Sequence, residues 1–276
     1  MMMTTRRLTM RTTLGFLFWF GATSTLAFIV PPTATMHVSS RNCGHSLYTA
    51  TEGDNFLSYL KFEGREPSFD VLAKTREYTS QPGYISFDLK RIPEEYYDLK
   101  NYIFRGPVVG PINRKDLVET NMNFNLDQAF PDLHRQVFGF SVDPDNPYRV
   151  LFFERWTGTN SGVLKTAGIS LPASGKKSIS PVFPFSITWT PEGKITYESL
   201  GPAVDRFEGN TQGKVAVFGL LETVGLPFNG SPGSLFLIAV QKTLRKIPLP
   251  NQFFSKEEYI PSWWKSKARG ADPNDM

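Results

Sequence analysis

Three histidines and one cysteine limit the chemistry that this 276-residue chain can perform. His37, Cys43 and His45 fall close together near the N-terminus, which leaves His134 as the only imidazole in the rest of the chain. A single cysteine cannot close a disulfide within one chain. No Cys/His set has metal-ligand spacing, so the sequence points to no metal and no cofactor. It holds no G-x-S-x-G elbow, no G-x-G-x-x-G after a strand and no P-loop. The run Gly158–Gly162 (GTNSG) reads as a turn. Candidate chemistry therefore rests on His134 as a proton carrier and on the stretch Arg149–Trp156. Side chains alternate along a strand, so Val150, Phe152, Glu154 and Trp156 share one face and Arg155 takes the other. One of Glu154 and Arg155 then enters an interior while its neighbour meets solvent or a partner. Trp156 and Trp189 read either as core or as a platform for a ligand.

The elements that must position these residues belong to an ordinary globular chain, 40% hydrophobic and 20% charged. Aromatics reach 14%, with 23 Phe, enough to fill a bulky core or to line an apolar cavity. The formal charge of +4 is not spread evenly: Arg6, Arg7 and Arg11 precede every acidic residue. Residues 41–276 carry 27 basic against 26 acidic groups, a net of +1. No basic stripe survives that correction, which argues against a nucleic-acid partner.

The same three arginines precede an apolar run from Leu14 to Leu26 that ends in small residues, the pattern of a secretory signal peptide. The run continues to Val30, so an uncleaved membrane anchor competes, but Pro31-Pro32 stops it short of a comfortable span. Residues 31–50 are rich in Ser and Thr, with one Arg and no acid, as a transit peptide is. A signal peptide joined to such a stretch, with Phe28 directly after Ala27, resembles the bipartite presequences of algae with secondary plastids. The resemblance implies delivery to the plastid (chloroplast); secretion and membrane anchoring are the alternatives. The expected organisation is a signal peptide over 1–27, a transit-like segment over 28–50, one domain over 51–228 and a C-terminal extension over 229–276, with no stable membrane span in the mature form.

Within the domain, Phe56, Leu57, Leu60, Phe69, Leu72 and Tyr78 recur at helical spacing. Ile85, Phe87 and Leu89 read as a short strand or as a link to Pro93–Leu99. Asn101–Arg105 reads as a strand and Asn113 to about Leu126 as a helix capped by Asn113. Long strand candidates follow at Arg135–Val142, Tyr148–Thr159, Ser178–Thr190 and Lys194–Leu200. Asp143–Pro147 and Pro191–Gly193 supply their turns. A helix follows over about Thr211–Val224. Hairpins flanked by helices predict an α+β layer architecture with an antiparallel sheet, bent at its Gly and Pro positions. In the extension, Pro232–Ile247 reads as a helix, and Trp263-Trp264 as a surface tack or a partner contact.

Four fragments in order carry a family likeness: Phe104–Gly110 (FRGPVVG), Phe130–Leu133 (FPDL), Arg155–Gly162 (RWTGTNSG) and Pro191–Phe207 (PEGKITYESLGPAVDRF). They resemble the SnoaL-like branch of the NTF2-like superfamily over roughly Asp54 to Pro227. That resemblance implies a cone, a strongly curved sheet wrapped around N-terminal helices, here with a C-terminal helical extension. It also implies a homodimer through the outer face of the sheet. In the polyketide-cyclase members an Asp at the end of the last strands is the acid/base; Asp205 stands at the matching place, with His134 as the other proton carrier. The resemblance implies a pocket that takes in Arg155, Trp156, Asn160, Trp189, Tyr197 and Phe207. Where the family has His after Gly-Thr, this chain has Asn160, an amide that orients a carbonyl but exchanges no proton near neutral pH.

Three functions stay open at this point: binding of a small apolar molecule in the cone, isomerase, cyclase or hydratase-type acid–base catalysis, and a non-catalytic interaction or assembly module. The cone hosts all three classes.

Overall fold

A computed structural model describes residues 60–166, 169–226 and 253–265. The expected presequence, Phe56 and Leu57, and the helix expected over 232–247 lie outside them. The chain divides into Met1–Thr49 and Ala50–Met276, and the described residues all belong to the second unit.

Helix α1 (Val71–Thr79) begins where the Asp70 carboxylate accepts from the N–H groups of Leu72 and Ala73. Its buried residues Val71, Thr75 and Tyr78 fall on one face. Helix α2 (Pro82–Ile85) starts on a proline, whose missing N–H would have had no partner there. Ile85–Leu89 is a link rather than a strand: Phe87 takes φ 55°, which a strand cannot continue. Strand β1 (Ile103–Arg105) leads to α3 (Arg114–Phe124). The Asn113 side chain caps that helix by accepting from Asp116 N–H, as the sequence predicts. Asn125 ends it at φ 49°, and the single turn α4 (Leu126–Ala129) follows.

The sheet comprises β1, β2 (His134–Asp143), β3 (Asn146–Thr159), β6 (Lys177–Ile179), β7 (Phe183–Trp189) and β8 (Ile195–Leu200), in the order β1-β8-β7-β3-β2 with β6 also on β3. A separate hairpin, β4 (Leu164–Thr166) with β5 (Ile169–Leu171), had no counterpart in the sequence reading. All pairings are antiparallel except β1 on β8, where the edge runs parallel. The strand expected over Ser178–Thr190 is broken into β6 and β7 around Pro181, which has no N–H for a ladder. There the Ser180 hydroxyl accepts from Trp156 N–H at 2.9 Å. Between Phe138 and Ser141 the β2–β3 register shifts at Gly139, which sits at φ 69°. Such a bulge bends and twists the ladder. The result is a strongly curled sheet, an α+β fold with helices in its concavity.

Concave and convex faces bury different sets. The concave face holds the main core, in which Trp189 meets Tyr78 of α1 edge-on at 6.1 Å and donates to Thr75 at 2.8 Å. On the convex face Leu60, Ile103 and Tyr197 pack with Ile260, Trp263 and Trp264. The last three come from a strap, residues 253–265; among the described residues α5 is Ala216–Thr223, and the strap ends in the single turn α6 (Ser262–Lys265). The tryptophan pair is therefore tacked onto the sheet.

The Asp70 cap gives a direct test. Asp70→Ala should lower unfolding stability by about 1 kcal/mol, read from urea denaturation, because two N–H groups lose their acceptor.

Candidate functional site

Inside the cone the strands bring together a knot of buried charge. Arg135 of β2 and Glu154 of β3 face inward from adjoining strands, 4% and 0% exposed. Arg135 donates from Nη2 to Glu154 Oε1 at 2.6 Å and from Nε to Oε2 at 3.2 Å. The Tyr84 hydroxyl also donates to Oε1, and Trp156 Nε1 donates to Oε2 at 2.7 Å. Four donors thus saturate one carboxylate. The Arg135 guanidinium lies 3.6 Å from the Tyr84 ring centroid. Burial alone would lower its pKa, but Glu154 beside it more than reverses that and holds the charge on.

A second buried carboxylate, Glu198 of β8, accepts from Tyr78 at 3.0 Å and from Tyr102. Tyr78 and Tyr97 share a further hydroxyl bond of 2.7 Å. Burial raises the Glu198 pKa above its ordinary value, against the Tyr102 hydrogen bond and the Arg114 charge, which pull it down. Arg114 stacks 4.0 Å over the Tyr97 ring and donates from Nη2 to Leu89 O at 2.6 Å. Its Nε and Nη1 have no hydrogen-bond partner among the described residues. Burial also pushes Tyr97 far up and keeps its hydroxyl neutral.

Beside this knot lies a cavity of about 240 Å3. One wall is α3, through Leu117 and Phe124; another is the loop after β1, through Val108 and Val109. Val217 and Phe218 of α5, Ala203 after β8 and Phe253 of the strap close the others, and Trp156 and Phe87 separate it from Arg135. Among the described residues its side-chain polar groups come from Thr120, Asn121, Lys214 and the Trp156 indole. Asn121 is engaged, accepting from Leu89 N–H at 3.3 Å and donating to Phe87 O at 2.9 Å. The Lys214 ammonium bonds the Glu222 carboxylate. Neither Glu154 nor Glu198 is on the wall. The chemistry the arrangement offers is burial of apolar surface, with the acids sealed behind it.

Of the sequence-predicted site residues, Trp156 alone lines this cavity. Asp205 is exposed, in a turn where its carboxylate accepts from Phe207 N–H at 2.9 Å. Phe207 is 82% exposed, with the Arg206 guanidinium over its ring. His134 is exposed at the start of β2. Arg155 points outward and pairs with Glu208 at 3.2 Å. Asn160 is buried as a turn brace, donating to Ala129 O and Gly162 O and accepting from Ser174 N–H. Trp189 is core, and Tyr197 faces the strap on the convex side. Thus Asp205 and Phe207 leave the pocket because the chain turns outward after β8, and Tyr197 leaves it because Glu198 takes the inward position. Sequence reasoning missed Arg135, Glu198 and the tyrosines; the signal for Glu198 was a charge flanked by strand residues. Among the described residues no group of three or more His, Cys, Asp and Glu is arranged to hold a metal, and no helix is long and apolar enough to cross a membrane.

No family model and no curated protein matches this sequence. Among solved structures it is similar to a SnoaL-like polyketide cyclase from Jannaschia sp. CCS1, at 13% identity and TM-score 0.37, over 58% of this chain and 94% of that one. TsrD from Streptomyces laurentii aligns at 13% identity and TM-score 0.37, over 56% and 96%. An NTF2-like protein of unknown function from Exiguobacterium sp. 255-15 aligns at 13% and 0.32, over 48% and 99%.

Glu198 yields a pH signature. A carboxyl raised in the folded state stabilises the fold fully below its unfolded pKa and loses that contribution as pH rises through the folded value. The wild type should therefore lose stability relative to Glu198→Gln as pH climbs from about 4. Urea unfolding of both chains across a pH series measures this, and a pH-independent difference would contradict it.

Proposed function

We propose that this protein is an NTF2-like binder of a small, neutral, apolar molecule, held in the cavity between α3, α5 and the β1 loop. The observation that carries the reading is the wall itself: about 240 Å3 in a partly open cavity lined mainly by aliphatic and aromatic side chains, with its one ammonium already neutralised by Glu222. An apolar cavity of roughly 150 Å3 holds benzene, and drug-sized ligands take about 300 Å3 or more. The volume therefore suits a molecule of about two fused rings. A carboxylate would find the Lys214 ammonium already paired with Glu222 and lose its hydration without a free cation in return. The acid–base reading finds less support, since Asp205 and His134 are exposed and Glu154 is saturated. A homodimer, proposed from the family resemblance, would use the part of the convex face where Phe138 and Phe153 stack in the open.

Naphthalene should bind and change the fluorescence of Trp156, while 2-naphthoate should bind at least about tenfold more weakly, one factor of ten being 1.4 kcal/mol. Val217→Trp should fill the cavity and abolish binding with the circular dichroism unchanged. Absence of any naphthalene titration in the wild type would refute the reading.

The plastid address is part of the same proposal, supported by the composition of residues 1–50 and by Phe28. Residues 1–50 fused to a fluorescent reporter in a secondary-plastid alga should reach the plastid, and Phe28→Ala should divert the reporter along the secretory route. Equal plastid delivery of both fusions would argue against a role for Phe28.

A further inference from the structure

The strap touches the cavity from one end and the convex face of the sheet from the other. At its start, Phe253 is a cavity wall, 6.0 Å from the Phe124 ring and 6.2 Å from that of Phe218. Its carbonyl accepts from Gly110 N–H at 2.6 Å. Two residues on, Ser255 N–H donates to Pro111 O at 2.9 Å, and the Ser255 hydroxyl accepts from Asn113 N–H at 2.9 Å. These bonds end on the loop that carries Val108 and Val109 and on the cap of α3, so two cavity walls are tied to the strap and Phe253 of the strap forms a third.

At its far end the strap is anchored where no ligand in the cavity can reach. Trp263 and Trp264 pack 5.9 and 5.8 Å from the Tyr197 ring, and Trp263 Nε1 donates to Asn101 O at 3.0 Å. Tyr197 and Ile103 point to the convex side, whereas Phe104, the next residue of β1, points to the cavity. The strap therefore wraps the β1 edge of the sheet and joins the two faces.

Resting on the apolar-binding reading, we propose that the strap is a working half of the ligand site. Its tryptophan pair is a remote anchor that sets affinity without touching the ligand, and an occupied cavity in turn holds the strap down. Phe253 contributes apolar surface to the ligand, and that surface is present only while the strap is docked. Linkage then makes the effect reciprocal: whatever the strap adds to ligand affinity, the ligand adds to strap docking.

The test uses the full chain and naphthalene. Trp263→Ala/Trp264→Ala should weaken naphthalene binding about tenfold, within the ordinary range of coupling between sites. Ser255→Ala, which removes only one hydroxyl bond, should weaken it in the same direction by a smaller factor and serves if the double variant unfolds. In the wild type, tryptic cleavage after Lys256, followed by mass spectrometry, should slow when naphthalene is added. Unchanged affinity in a folded variant, or cleavage at Lys256 indifferent to naphthalene, overturns the coupling while leaving the cavity reading intact. Failure of the wild type to bind naphthalene at all defeats the cavity reading, and the coupling falls with it.

Discussion

A carboxylate and a guanidinium inside a protein cost several kcal/mol each to dehydrate, and only close geometry with every lone pair engaged repays that. The rest of the fold depends on meeting this condition at Arg135 and Glu154. The pair ties β2 to β3, and the Tyr84 hydroxyl and ring bind α2 to both. Tyr84 also gives its backbone carbonyl to Arg135 Nη1 at 3.3 Å, so the helix can sit in the concavity at only one depth and one rotation. Loss of either charge would strand the other, which typically costs about 3–5 kcal/mol. An apolar core of similar volume could hold the sheet as firmly, but it would not fix the angle at which helix and sheet meet.

That fixed angle explains why polar and apolar interiors lie side by side without mixing. Trp156 serves both: its indole N–H points back to Glu154, and the residue forms part of the cavity wall. With the nitrogen engaged, Trp156 offers the cavity only hydrocarbon. Phe87 does the same from the helical side, its ring 4.6 Å from Trp156 and its carbonyl held by Asn121. Saturation of the carboxylate behind them leaves it no unpaired lone pair with which to draw water inward.

Much of the framework was legible because local chemistry dictates it. Asn113 before an early-turn Asp announces a cap, DPDNP a turn, and Val150-x-Phe152-x-Glu154-x-Trp156 an inward face with one charge on it. The break at Pro181 was equally local and could have been read from the absent N–H. The site was less legible, since alternation states which residues share a face without saying which face is concave. Tyr197 and Glu198 were interchangeable on that basis, and only the pairing of β8 with β7 sends Glu198 inward opposite Ile187. Asp205 fell to a different cause: no periodicity governs the chain after Leu200, so the direction of the turn comes from tertiary contacts such as Val204 N–H with Val182 O. The strap's path around the β1 edge joins residues far apart in sequence and left no short-range signal.

That path has a consequence for the order in which the molecule can be made. A ribosome adds residues N-terminal first, at about 5–20 per second, and domains begin to fold as they emerge. The cap of α3, the whole sheet and Tyr197 are therefore complete before Phe253, Trp263 and Trp264 exist. Through that interval Ile103 and Tyr197 lack the strap side chains that pack on them, and the cavity lacks Phe253. Docking of the strap is thus also the step that withdraws this apolar stripe from the surrounding solution.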